Sequence, residues 1–300
     1  MTPGLPDKPF AVMGIVNVTA DSFYDGGRYA TTGAAVEHAL RLVEDGADII
    51  DIGGSSSRPG AELLSPEEEA ARVVPVIEEL IRRGIGVPVS VDTTWAVTAE
   101  AAVNAGASWV NDVSAGRFDP SMPGVAARLG CIVVLMHSRG TPANMQDDPR
   151  YGDDVAGEVA GELLSSVDMF LRAGVSRNKI VLDPGFGFAK DVNHNVALLR
   201  GVGRIVNLGY PVLIGVSRKS FVGKITGRPV EERLSGTLAA TAAAYAGGAR
   251  IFRAHDVRET VDFLKVLFAV DIVVPLEKYS GGHPAPYGAS PNQRLMRSKC

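Results

Sequence analysis

Cysteine is nearly absent. Cys131 in an apolar run and Cys300 at the last position are the only two in 300 residues, which excludes a disulfide framework and a zinc ligand set and points to a reducing compartment. Long hydrophobic runs are also missing: none approaches the roughly 18 uninterrupted apolar residues that a spanning helix needs. The opening MTPGLPDKPF has neither the basic start nor the apolar core of a secretory signal, so a cytoplasmic protein with no membrane partner is expected. Neither sign of charge dominates. Thirty Lys plus Arg stand against 34 Asp plus Glu, a net charge of -4, so the summed field offers nucleic acid or an anionic membrane no long-range attraction and any anion site must be local. Standard short motifs fail as well. VGKIT leans toward a P-loop, but Arg218 stands where the first glycine is needed and Ile225 where Ser or Thr should meet magnesium; GFGFAK lacks the third glycine of a dinucleotide fingerprint; and five histidines form no HExxH.

What is present is a rhythm. With 46% hydrophobic residues the chain has ample material for a large core. Eight short runs rich in β-branched and aliphatic residues recur at 10–16, 48–53, 87–92, 109–112, 132–136, 180–183, 212–216 and 251–254. They are near-continuous rather than alternating, as parallel strands covered on both faces should be. Segments of helical period fall between them, at 33–45, 65–83, 95–105, 121–129, 153–173, 193–208, 230–246 and 257–268. The second opens with Ser65, Pro66 and Glu68, a capping box with proline at the first helical position, and places Val73, Val76, Ile77 and Leu80 on one face. Eight strand-helix units match a (β/α)8 TIM barrel with its active site at the C-terminal ends of the strands. A doubly wound sheet is the competing architecture, because alternation alone does not settle closure. No linker divides the chain before about residue 274, so residues 1–274 form one expected domain. Residues 275–300 lose apolar periodicity and gain prolines, which predicts a flexible tail.

Every strand run ends in polar groups: Asn17, Gly53 to Arg58, Asp92, Asn111 with Asp112, His137, Asp183, Ser217 to Ser220, and Arg253 with His255. Any one of these can merely cap a helix or make a turn. On a barrel all eight ends converge. Asp92, Asn111 and Asp183 mix acceptors with amide groups, which suits a flat heterocycle presenting several N–H donors, and a carboxylate accepting two parallel N–H bonds suits an aminopyrimidine edge. Arg253 and Lys219 supply cationic faces. The stretch from Gly53 to Arg58, together with Arg253 and His255, offers hydroxyls, backbone N–H groups and guanidinium forks to an anion, and Asn17 can lend an oxygen to a hard cation.

The stretches MGIVNVTADSF, DIGGSSSRPGA, SVDT, NDVSAG, LMHSRGTPANMQ, LDPGFGFAK, GVSRKSF, ERLSGTLAATAA and RAHDV follow one another over about residues 10–270. In that order they resemble the dihydropteroate synthase family. The resemblance implies a (β/α)8 enzyme of folate synthesis that joins 6-hydroxymethyl-7,8-dihydropterin pyrophosphate to p-aminobenzoate with Mg2+ assistance, is a sulfonamide target, and forms a homodimer through helices near the chain's end. It further implies that Asp92, Asn111, Asp183, Lys219 and Arg253 hold the pterin, that Asn17, Arg58, Arg253 and His255 meet the pyrophosphate, and that Asn17 is linked to the metal. Phe23, Ser57, Pro59, Phe188 and Ser220 would surround p-aminobenzoate, and Asp21, Arg58, Arg253 and His255 would act in the chemical step. Two positions depart from the family's usual spelling. Ser55 stands where a glutamate is usual, removing a charge beside the anion site, and Ala20 replaces a frequent proline. Barrels that pass a methyl group from a folate to a corrinoid share part of the pattern. A non-catalytic pterin-binding paralogue, supported by Ser55 alone, and Schiff-base chemistry at Lys190 or Lys219 are further alternatives.

Overall fold

The eight apolar runs form eight parallel strands in a computed structural model that describes residues 8–18, 27–55, 64–141 and 143–271, with only the backbone at 27–31 and 271. They are β1 (Ala11–Asn17), β2 (Ile49–Gly53), β3 (Val89–Asp92), β4 (Trp109–Asp112), β5 (Ile132–Met136), β6 (Ile180–Asp183), β7 (Leu213–Ile214) and β8 (Ile251–Ala254). Hydrogen bonding runs in the order β6-β5-β4-β3-β2-β1-β8-β7. The remaining seam is bridged where Leu182 pairs with Val212 and its N–H donates to Pro211 O at 2.9 Å. That bridge decides for a barrel over a doubly wound sheet.

The strands read as continuous apolar runs because each has two buried faces. Inward positions pack together as Ala11, Met13, Ile49, Trp109, Ile132, Val134, Val181, Leu213 and Ile251. Outward positions such as Val12, Ile50, Ile52, Val91, Val110, Val133 and Leu182 join a larger shell with the helices. Those helices are α1 (Gly27–Glu44), α2 (Pro66–Arg82), α3 (Ala96–Asn104), α4 (Met122–Leu129), α5 (Val155–Arg172), α6 (Val192–Arg200), α7 (Val202–Val206), α8 (Ser220–Thr226), α9 (Leu234–Ala246) and α10 (Val257–Asp271). The capping box on α2 is formed as predicted, with Ser65 Oγ accepting from Glu68 N and Val73, Val76, Ile77 and Leu80 buried.

Three segments differ from the periodic reading. The helix predicted over 193–208 breaks at Gly201, where a Cβ would stand 2.4 Å from Ala156 Cβ, so contact with α5 fixes a glycine and the axis turns there. The start of 230–246 is a 3-10 turn over Val230–Glu232, and the α-helix begins at Leu234. Of the run 212–216 only Leu213 and Ile214 form a strand, with Val212 in the single bridge to Leu182. The predicted boundary at residue 274 and the tail from 275 lie outside the described residues.

Candidate active site

Lateral register brings four strand ends to one level: Asn17 pairs with Gly53, Gly53 with Asp92, and Asp92 with Asn111. Gly53 leaves room between its neighbours' side chains, for a Cβ there would lie 3.5 Å from Asp92 Cβ and 3.7 Å from Asn17 Oδ1. One step deeper on β2 lies Asp51, fully buried. Its Oδ2 accepts from Arg253 Nε at 2.6 Å and from Asn111 Nδ2 at 3.0 Å, while Arg253 also donates to Asp92 Oδ2 at 2.8 Å. This bonding settles an orientation. Because the Asn111 amide N–H is spent on Asp51, its Oδ1 is the atom left to accept from a ligand, and among the described residues it has no partner. Burial pushes Asp92 above the usual carboxylate range, against the pull of Arg253.

Asp183 ends β6 and starts the loop 184–190. Its Oδ1 accepts from Gly185 N at 2.7 Å and its carbonyl accepts from His137 N at 2.9 Å, so both are fixed at the strand end. Gly185 is indispensable to this path, since its φ is +71° and a Cβ there would lie 1.8 Å from His137 O. Burial raises Asp183 to about 6, with Gly185 N–H, Lys219 and Arg253 pulling the other way. Lys219, lowered to about 8 chiefly by burial and next by Arg253, holds its Nζ 4.3 Å from the centre of the Phe188 ring. Phe188 is buried with Met136, Met145 and Ala189. Lys190 is buried too, and its Nζ lies 3.0 Å from each of Gly185 O, Phe188 O and His137 Nδ1.

The opposite rim carries His255. Its backbone N–H donates to Ser217 Oγ at 3.1 Å, and that hydroxyl lies 3.0 Å from His255 Nδ1. In the tautomer where the Ser217 hydroxyl donates to Nδ1, the ring proton lies at Nε2 and is free to donate outward. Desolvation of the ring, then the positive charges of Arg253 and Arg218, keep His255 below the ordinary imidazole range, so it is neutral near pH 7. Arg218 is tied to Asp256 through two bonds and faces away from this role. Ser220 is the exposed first residue of α8. Asn17 is exposed at the end of β1, its Oδ1 3.7 Å from where a Gly53 Cβ would stand. Ser55 donates to Glu69 Oε1 at 2.7 Å, and Glu69 Oε2 accepts from Thr93, so a buried carboxylate from α2 meets the residue that departs from the family spelling. Asp21, Phe23, Ser57, Arg58, Pro59 and Ala20 lie outside the described residues.

Of the predicted pterin set, Asp92, Asn111, Asp183, Lys219 and Arg253 therefore share one charged, largely buried mouth. Sequence reasoning passed over Asp51, Lys190 in this setting, and Ser217 as the partner of His255. A carboxylate in the middle of an apolar strand run is the signal that marks Asp51, because an acid is buried there only if something pairs it.

A closed parallel barrel with acceptors, a free amide oxygen and two cations gathered at the C-terminal ends of its strands defines a barrel enzyme for a flat, donor-edged heterocycle joined to an anion. The sequence matches the pterin binding enzyme family over residues 13–255. The dihydropteroate synthase of Synechocystis sp. is 46% identical over 260 residues, covering 86% of this chain and 89% of that one. The Xanthomonas albilineans dihydropteroate synthase with 4-aminobenzoic acid superposes with a TM-score of 0.81 at 47% identity, covering 88% of this chain and 94% of that one. A structure of the Xanthomonas albilineans enzyme in complex with 7,8-dihydropteroate gives a TM-score of 0.78 at 45% identity, with the same two shares of coverage. The chain belongs to the dihydropteroate synthase family.

Proposed function

We propose that this chain condenses 6-hydroxymethyl-7,8-dihydropterin pyrophosphate with p-aminobenzoate, releasing pyrophosphate and forming 7,8-dihydropteroate. The observation that carries this reading is the assembly of Asp92, Asn111, Asp183, Lys219 and Arg253 around one mouth, ordered from below by Asp51. Asp183 accepts from the pterin's N–H and amino edge, Asn111 Oδ1 and Asp92 take further donors, and Lys219 faces the ring oxygen and nitrogen. In the reaction the bond from the pterin methylene carbon to the pyrophosphate oxygen breaks and its electron pair leaves with the anion. The aniline nitrogen then forms the new C–N bond and loses a proton. Arg253 and the Nε2–H of His255 receive the developing charge on the leaving group. With Ser217 donating to Nδ1, the ring proton of His255 stands at Nε2, where it meets an anion rather than acting as a base. Orientation carries the attack.

Mg2+ is the cofactor of this reading. The described residues include no group of three or more His, Cys, Asp or Glu side chains able to hold a metal alone. The Asn17 oxygen fits a hard cation that takes its other ligands from pyrophosphate and water, and when bound the ion neutralises the departing anion. Contacts of Phe188 and Ser220 with p-aminobenzoate belong to the proposal, and the roles of Asp21, Phe23, Ser57, Arg58 and Pro59 rest on the resemblance. So does a homodimer near the chain's end, which the exposed Val266 and Val270 of α10 support. A single catalytic domain to residue 274 with a flexible tail is proposed likewise. Among the described residues no helix is long and apolar enough to cross a membrane; the cytoplasmic location is proposed from the sequence.

A pyrophosphate assay tests the function. With p-aminobenzoate present, pyrophosphate and dihydropteroate should appear in equal amounts, and omission of p-aminobenzoate should suppress release. Equal release in both arms would overturn the reading. The methyl-transfer alternative is not favoured by the relatives, and a non-catalytic paralogue would leave a folate auxotroph unrescued.

A further inference from the structure

We propose that Lys190 is a positioning residue for the second substrate: its buried Nζ holds the carbonyls of Gly185 and Phe188 together and so fixes the aromatic wall beneath Lys219. The inference rests on the reading of Phe188 as part of the p-aminobenzoate subsite. Lys190 is 3% exposed and, among the described residues, makes no ion pair with a carboxylate. Its three partners are two loop carbonyls and one imidazole nitrogen, which is an unusual destination for a buried amine and needs a structural reason.

Glu162 on α5 supplies it. Glu162 Oε2 lies 3.0 Å from His137 Nε2, and Arg139 pairs with the same carboxylate. The hydrogen bond from His137 is the largest cause holding Glu162 down, to about 2, so an ionised acceptor fixes the imidazole proton at Nε2. Nδ1 is then an acceptor, and Lys190 must donate to it. A relay thus runs from α5 through β5's end into the loop. The loop path depends on this support. Residue 189 is an alanine with φ of +48°, placed between Phe188 and Lys190, and a non-glycine residue stays in that region only where its surroundings hold it. Asn195 secures the other side, accepting from Gly187 N at 2.7 Å and donating to Lys190 O at 3.1 Å.

Asp183 is anchored by the backbone N–H groups of His137 and Gly185, atoms that Lys190 does not touch, so loss of the amine should displace Phe188 more than Asp183. The Phe188 ring is also the surface over which Lys219 sits. Lys190→Met keeps the length of the side chain and removes every donor. In the full chain, the KM for p-aminobenzoate should rise about tenfold while kcat and the Kd for pterin pyrophosphate stay within about threefold. Lys190→Gln, which keeps donors for part of the set, should give an intermediate rise and serves if the methionine variant does not fold. A folded variant with an unchanged KM for p-aminobenzoate, or with equal losses toward both substrates, overturns the proposal, as does a fall in melting temperature with all kinetic constants unchanged. The unsubstituted chain is assayed first. Its failure to form dihydropteroate would overturn the function itself, whereas a shift confined to the variants bears on Lys190.

Discussion

At the scale of single residues, Asp51 organises the side of the mouth proposed to hold the pterin, without being at its rim. Its Oδ2 takes one N–H from Asn111 and one from Arg253, so a single carboxylate sets the amide orientation of the first and the approach of the second. Asp51→Asn replaces an acceptor with an N–H group facing Asn111 and leaves the guanidinium short of a buried partner. Pterin pyrophosphate affinity measured by calorimetry should fall by about 1.5–3 kcal/mol. An unchanged Kd would remove Asp51 from the site. This residue is hard to see in the sequence because it lies inside the apolar run DIIDIG, two positions before the strand end at Gly53. Asp92, Asn111, Asp183 and Arg253 were legible for the converse reason: each stands at or beside a strand end, where a barrel gathers its chemistry. Ala189 offers a second test. Replacing it with glycine relieves a left-handed alanine and should raise unfolding free energy by roughly 0.5–1 kcal/mol in denaturant melts; no gain would mean that the relay through Lys190 has already absorbed the strain.

At the scale of elements, the loop 184–190 joins β6 to α6, follows directly on Asp183, the carboxylate proposed to hold the pterin, and carries Phe188. Its shape is set by approach distances as much as by hydrogen bonds. Gly187 has φ of +79° and leaves 3.1 Å between its would-be Cβ and Lys219 Cδ, and Gly185 meets the carbonyl of His137 closer still. Gly185→Ala cannot keep this path. Pterin binding should be lost by at least about 3 kcal/mol, and circular dichroism should still report the barrel's helices, because the clash is confined to one strand end. A milder element-scale effect is expected at α2, where Ser65→Ala opens the capping box and should cost about 1 kcal/mol of stability in thermal melts. These two elements also show what the sequence conveys. Strand positions were legible because burial on both faces makes apolar runs, and the α2 start was legible because capping is local chemistry. The break at Gly201 was not, since apolar spacing continues across it and its cause, the side chain of Ala156, lies on another helix. Closure of the barrel was likewise a property of Leu182 and Val212, far apart in the chain.

At the scale of the whole molecule, β2, β3 and β6 deliver three carboxylates to the mouth, and β8 and the segment after β7 deliver two cations. Folding thus concentrates charge that the free chain spreads over two hundred residues, and the titration of the site follows from that concentration. Burial raises Asp183 to about 6, and it must be ionised to accept pterin N–H groups, so protonation on the acid side competes with the ligand. Burial lowers Lys219 to about 8, and it must be protonated to face the ring oxygen, so deprotonation competes on the alkaline side. The sign is the same for both groups: moving away from the interval between them weakens binding, by about tenfold per pH unit once past each limit. The limits belong to the coupled set, Asp92 and Arg253 included, rather than to two isolated groups. 6-Hydroxymethylpterin, which lacks the titrating phosphates, is the suitable probe, and calorimetry from about pH 5 to pH 9 should give a bell with its plateau near pH 7. Asp183→Asn should lower the plateau, since an amide N–H replaces one acceptor oxygen facing the pterin donors, while the acid limb that Asp92 shares should persist. A flat profile in the unsubstituted chain would mean that these side chains do not share a ligand, and the pterin assignment would fall with it.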